Sequence, residues 1–159
     1  MLKNLLNIID TNISIEDEVI DNINKSIDLK SNIYLLSQKI FESNKISHLK
    51  RLKLHKELIK ISKQVKCNFS IAHNLLLIAR IYIVLGDTKN AIENNLNSLK
   101  LWQNIKYEPL AINGEISCYI NLANIYAELG FYNKSLDYFE LSNDTLKKCS
   151  DDLIPSVRI

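Results

Sequence analysis

The stretch LIARIYIVLGDTKNAIENNL, from Leu77 to Leu96, returns 44 residues later as NLANIYAELGFYNKSLDYFE, from Asn121 to Glu140. In that register Ala79/Ala123, Ile81/Ile125, Tyr82/Tyr126, Leu85/Leu129 and Gly86/Gly130 are identical. Ile78/Leu122, Ala91/Ser135, Ile92/Leu136 and Glu93/Asp137 match in size or charge. A fixed internal period outranks local propensity as a constraint, because each copy must be the same supersecondary unit and must bury its seam against a neighbour. Apolar residues recur at helical spacing on both sides of the glycine, so the unit is a helix, a turn and a second helix. Small side chains at Ala79 and Ala123 let the paired helices approach closely, and the tyrosine three residues on fills the space beyond. Gly86 and Gly130 stand where the first helix must stop, in a left-handed conformation that strains any residue with a Cβ. Ala91 and Ser135 are the small residues the second helix turns back toward the first.

Upstream, LIKISKQVKCN (Leu58 to Asn68) resembles LKLWQNIKYE, the end of the next unit's second helix. This marks a degenerate earlier pair, with SNIYLLSQKIFES as its first helix and Ile46 to Lys66 as its second. Ser14 with Asp17 makes a capping-box-like start, and Ile15, Val19, Ile23 and Ile27 recur every fourth residue, so amino-terminal helices are expected over residues 1–30. The units then run 31–68, 69–107 and 108–152, with 153–159 opening a further helix of a longer protein. Three Gly and two Pro in 159 residues leave few breakers, which favours long helices over a strand-rich fold.

The repeated residues resemble the tetratricopeptide repeat (TPR) family, whose pattern sets an apolar or aromatic residue, Leu, a small residue, Tyr, Gly, Ala and an aromatic at fixed steps. Tyr119, Leu122, Ala123, Tyr126, Gly130, Ser135 and Phe139 follow it. Leu75, Ile78, Ala79, Tyr82, Gly86 and Ala91 do as well, although Asn95 replaces the late aromatic and the closing Pro is missing from both copies. The family's period is about 34 residues. At 44, the second helix of each pair should be longer or followed by a longer joint. The resemblance implies an all-α, right-handed α-solenoid of antiparallel helix pairs that binds a peptide or protein segment on its concave wall. That wall, lined by first helices, would carry His73, Leu76, Arg80 and Ile83, then Ser117, Ile120, Asn121, Asn124 and Glu128. Asn121 and Asn124 match positions that in related repeats hold a peptide backbone, a task suited to an amide that both donates and accepts. The long period and the polar KKCSDD joint look like the amino-terminal sensor arrays of bacterial signalling proteins. Diguanylate cyclases with a GGDEF output domain come first in that comparison and peptide-sensing transcription regulators second.

Arg80 is the only charge in NLLLIARIYIVLG. A guanidinium there cannot face the core unpaired, since an uncompensated buried charge costs several kcal/mol. Two roles are open to it. One is a structural pair with Glu128, and the other is an anchor for a carboxylate of a bound segment, flanked by Asn121 and Asn124.

Other chemistry lacks its sequence frames: GxGxxG, GxxxxGK[ST], GxSxG and HExxH are all missing, so no catalytic residue and no cofactor are expected. His48 and His55 lie seven residues apart without a third ligand, and they read as exposed or half-buried structural histidines rather than metal ligands. Cys67, Cys118 and Cys149 have no CxxC spacing, and Cys118 falls on a buried helix, where a thiol behaves as a small hydrophobe. The opening MLKNLLNIID does not read as a signal peptide, and no stretch of about 18 uncharged apolar residues exists for a membrane span. A cytoplasmic chain with reduced thiols is expected, without membrane insertion. Eight basic residues and one acid, Glu57, fall between Lys45 and Lys66, a local +7 in a chain of net charge +2. On a helix Leu54, Leu58, Ile61 and Val65 form one stripe with Lys53, Lys56, Lys60 and Lys63 opposite, which reads as a solvated outer face or, as the sharper alternative, an electrostatic landing strip for nucleic acid, anionic lipid or an acidic partner. That face has no interleaved aromatics, so nucleic acid is not an expected partner. Leu101, Trp102, Phe131, Tyr132, Tyr138 and Phe139 recur at helical spacing and read as core. A second class of function remains, a structural spacer that forms a homodimer through an exposed end of the solenoid.

Overall fold

The computed structural model describes residues 29–105 and 109–153. They form six helices: α1 (Leu29–Glu42), α2 (His48–Gln64), α3 (Asn68–Val84), α4 (Thr88–Asn104), α5 (Pro109–Glu128) and α6 (Tyr132–Leu153). Each helix packs on the next, and α3 touches both α1 and α5. The expected helices upstream of Leu29 and the chain beyond Leu153 lie outside the described residues. Leu29 and Lys30 belong to α1, and Leu153 belongs to α6. The extra length of the 44-residue period is not confined to second helices: α5, with 20 residues, is longer than α3 or α4, each with 17.

Three helix ends share one hydrogen-bond pattern. After α3, Gly86 N–H reaches the Ile83 carbonyl at 3.0 Å and Asp87 N–H the Tyr82 carbonyl at 3.0 Å. After α5, Gly130 N–H reaches Ala127 at 2.9 Å and Phe131 N–H reaches Tyr126 at 2.8 Å. After α2, Lys66 N–H reaches Lys63 at 3.2 Å and Cys67 N–H reaches Ser62 at 2.9 Å. This double bond pattern satisfies carbonyls that a helix terminus otherwise orphans, and it requires a left-handed residue at its centre. Gly86 has φ +72 and Gly130 φ +80, as the sequence requires, and Lys66 occupies the same conformation at φ 51. Two helices, α4 and α2, start on side-chain caps. Asp87 accepts from Asn90 N–H at 3.2 Å, and Ser47 accepts from Lys50 N–H at 3.4 Å ahead of α2.

The small residues of the repeat are buried as their roles demand: Ala79, Ala91 and Ala123 at 0 % exposure and Ser135 at 5 %. One cluster joins α3, α4 and α5 through Ala72, Leu76, Leu99, Trp102, Ala111, Cys118, Tyr119 and Leu122. Trp102 lies edge-on to Phe69, ring centroids 5.0 Å apart, and flat against α5 at Gly114. A Cβ on Gly114 would overlap the indole Cε2 of Trp102. This interior helical glycine is therefore a packing requirement of the tryptophan, at a helix-propensity cost of about 1 kcal/mol relative to Ala.

Buried polar side chains tie the helices together. The Asn95 amide donates to the Cys118 carbonyl at 2.7 Å, joining α4 to α5, and the Ser98 hydroxyl donates to the Ala72 carbonyl at 2.7 Å, joining α4 to α3. Asn95 thus replaces the late aromatic of the repeat with a directed bond. His55 of α2 meets Asn74 Oδ1 of α3 at 2.8 Å, while the Asn74 amide donates to the Ser70 carbonyl at 2.8 Å. That leaves His55 Nδ1–H as the donor. His55 is wholly buried, contrary to the expected exposed or half-buried position, because it lies one residue from Leu54 on the face that α3 covers. A second correction falls on α6. Phe131, Tyr132 and Phe139, read as core, are 60, 72 and 43 % exposed, because no described helix packs on that side of α6. Trp102 is buried and Tyr138 half-buried, the latter stacked on Tyr126 with centroids 5.6 Å apart.

Candidate functional site

A groove of about 550 Å³ runs between the carboxyl-terminal halves of α3 and α5. Arg80, Ile83 and Val84 line it from α3, at the i, i+3 and i+4 positions that share one helix face. From α5 come Asn121, Asn124, Ile125, Ala127 and Glu128. The apolar floor and a few convergent polar groups are what a recognition site needs.

Arg80 is half-buried and makes neither an ion pair nor a hydrogen bond among the described residues. Glu128 lines the same groove but lies exposed and unpaired among the described residues, so the structural Arg80–Glu128 pair does not form. Burial without a fixed acid leaves the guanidinium's donors available to an incoming acceptor. Asn121 is half committed: its amide N–H donates to Asn95 Oδ1 at 3.2 Å, which orients the side chain and leaves its own oxygen open. Because Asn95 in turn donates to the Cys118 carbonyl, the groove's amide is braced through α4. Asn124 is exposed.

Four of the expected wall residues, Arg80, Asn121, Asn124 and Glu128, therefore meet in one groove, with Ile83 beside them. His73, Leu76, Ser117 and Ile120 do not line it. Leu76 is 4 % exposed inside the core cluster, and His73 is 8 % exposed with its ring 4.6 Å from that of Tyr34. The reason is position along α3: its amino-terminal half is covered by α1, whereas the last two turns open onto the groove. Ser117 is half-buried and Ile120 is 39 % exposed. Val84, Ile125 and Ala127 complete the lining and were not among the expected wall residues, although Ile125 is itself a repeated position.

Burial sets the protonation of the remaining candidates. His55 and His73 are each pushed down to about 4, first by loss of solvent around the charged ring. For His55 the nearby Arg51 adds to this, and for His73 both His55 and Arg80 do. Burial pushes the Cys118 thiol up to about 12, so it stays protonated at neutral pH. Among the described residues no group of three His, Cys, Asp or Glu side chains is placed to hold a metal ion, and no helix is long and apolar enough to cross a membrane.

The basic helix α2 turns Leu54, Leu58 and Ile61 inward and leaves Lys53, Lys56, Lys60 and Lys63 exposed. Lys60 pairs with Glu57 at 2.8 Å, and Lys56 stands 5.9 Å from the Tyr82 ring centre. Exposed pairs of this kind contribute about 0 to 1 kcal/mol. Comparison with protein-family models, with curated proteins and with solved structures finds no match for the chain.

Proposed function

We propose that this chain is a non-catalytic recognition module, a right-handed solenoid of antiparallel helix pairs of the TPR type, which holds a peptide or protein segment along the α3/α5 groove. The observation that carries this reading is Arg80, a half-buried guanidinium without an acid partner among the described residues, facing Asn121, Asn124 and Glu128 across an apolar floor. Arg80 anchors a carboxylate of the segment, and the two asparagine amides hold its backbone. Glu128 repels a segment whose acids fall in the wrong register and attracts a basic residue beside the anchored carboxylate. A binder of this kind suits the regulatory amino-terminal part of a bacterial signalling protein, where occupancy of the groove controls an output domain.

A peptide library presented with free and with amidated carboxyl termini tests the assignment. Binders are expected to carry an acid whose neutralisation weakens binding, and Arg80→Ala is expected to weaken them by about 1 kcal/mol or more, roughly fivefold, with the melting temperature nearly unchanged. A variant that melts several degrees lower and binds as well as the parent would make Arg80 structural and defeat the reading.

A further inference from the structure

We propose that Asn95, wholly buried in α4 and out of a ligand's reach, is the positioning residue of the α3/α5 groove: through Asn121 it commits the α5 wall to a backbone N–H of the bound segment. The inference rests on the recognition role proposed for the groove and adds the sense in which its polar groups point.

The internal repeat marks the pair. At the 44-residue offset Asn95 corresponds to Phe139, and Asn121 to Leu77, which is 2 % exposed. Each position is therefore apolar in its other copy, yet both are asparagine here, and the two side chains meet between α4 and α5. Asn95 is 0 % exposed and Asn121 half-buried. Two amides in positions that the repeat otherwise fills with hydrocarbon give up apolar burial, so packing alone does not call for them. Departures of this kind from a chain's own pattern concentrate where function sets the residue.

A backbone atom dictates how both amides are turned. The Cys118 carbonyl can only accept, so Asn95 must direct its N–H group there, and the bond is 2.7 Å long. That turn presents Asn95 Oδ1 to Asn121. Asn121 answers with its own N–H at 3.2 Å, because two facing amide oxygens repel. Asn121 Oδ1 is what remains for the groove, and it accepts no hydrogen bond among the described residues. An amide free to rotate serves donors and acceptors alike, whereas Asn121 is held in the accepting sense. Asn124 is exposed and carries no such brace, so it does not discriminate. Arg80, on the α3 side, has donors only. The groove is thus polarised, taking a carboxylate or carbonyl oxygen toward α3 and a backbone N–H toward Asn121 on α5.

The test uses the full 159-residue chain and the peptides selected from the library, each remade with one backbone N–H at a time replaced by an ester oxygen. One ester position is expected to weaken binding to the parent chain by about three- to tenfold, the worth of one hydrogen bond. Asn95→Leu keeps the buried volume and frees Asn121 to rotate, so the penalty at that position should vanish. Ser98→Ala removes a bond of equal burial, from Ser98 to the Ala72 carbonyl, and should lower the melting temperature while leaving the ester penalty in place. In nuclear magnetic resonance spectra of the ligand-free chain, one Asn121 carboxamide proton should exchange with solvent more slowly than its geminal partner. A binder without any ester-sensitive position, a penalty that survives Asn95→Leu, or two Asn121 carboxamide protons that exchange alike overturns the proposal and leaves the recognition role standing. Failure to bind any library peptide defeats the recognition role, and this inference with it.

Discussion

Acidification should unfold this protein through two histidines. His55 is fully buried with its ring donating to Asn74, and His73 is 8 % exposed against Tyr34. Both have their pKa lowered from 6.5 to about 4 in the fold. The native state therefore refuses a proton that the unfolded chain accepts. Stability from this source is complete above pH 6.5, falls as pH drops below it, and is exhausted near pH 4. One pKa unit is worth about 1.36 kcal/mol, so each histidine withdraws about 3 kcal/mol across that window, at a slope of up to about 1.4 kcal/mol per pH unit. Together the pair removes about 6 kcal/mol, comparable with the whole 5–15 kcal/mol stability of a typical domain. Asp87, whose pKa is lowered mainly by its bond to Asn90, also loses stability in acid, but its loss begins only near and below pH 4. Urea denaturation followed by far-ultraviolet circular dichroism between pH 7 and pH 4 measures the slope, and His55→Gln should roughly halve it while lowering stability at pH 7. A flat profile between pH 6.5 and 5, or a nuclear magnetic resonance titration placing either ring near 6.5 in the folded state, would refute the reasoning.

The three left-handed turns should respond in opposite senses. Lys66→Gly relieves a strained lysine and should stabilise by about 0.5–1 kcal/mol, whereas Gly86→Val or Gly130→Val should each cost more than about 1 kcal/mol in thermal or urea denaturation. Because a Cβ at either glycine meets no atom within 4 Å, Gly86→Asn should cost much less than Gly86→Val, and equal costs would point to packing instead of backbone strain. Gly114→Ala drives a methyl into the Trp102 indole and should cost about 1–3 kcal/mol despite alanine's better helix propensity. Trp102→Leu in the same chain should remove most of that penalty, which a double-mutant cycle reads directly.

Much of this chain could be read without coordinates because its strongest signals are local. Helical spacing, the breaks at Gly86 and Gly130 and the small residues Ala79, Ala91 and Ala123 depend on neighbours within a few residues, and each falls where the repeat puts it. The resemblance to the TPR pattern put Arg80, Asn121, Asn124 and Glu128 on one wall together with His73, Leu76, Ser117 and Ile120, and only the packing of α1, α3 and α5 separates the residues that share the groove from those that do not. The sense in which a stripe is buried is not local. Leu54, Leu58 and His55 share a covered face, yet only the arrival of Asn74 from another helix makes a buried histidine tolerable there. Asn95 breaks the aromatic pattern in the sequence, and its compensation, the Cys118 carbonyl 23 residues away, exists only once α5 lies across α4. Lys66 carries no mark of a left-handed residue. Its conformation completes the same paired backbone bonds that Gly86 and Gly130 complete, where α2 must end for α3 to pack back on it. The α6 stripe, from Tyr132 to Leu146, has the periodicity of core and the exposure of surface. Periodicity states that a face is apolar, but burial depends on whether a second layer reaches it, and that is decided by the tertiary arrangement of whole helices.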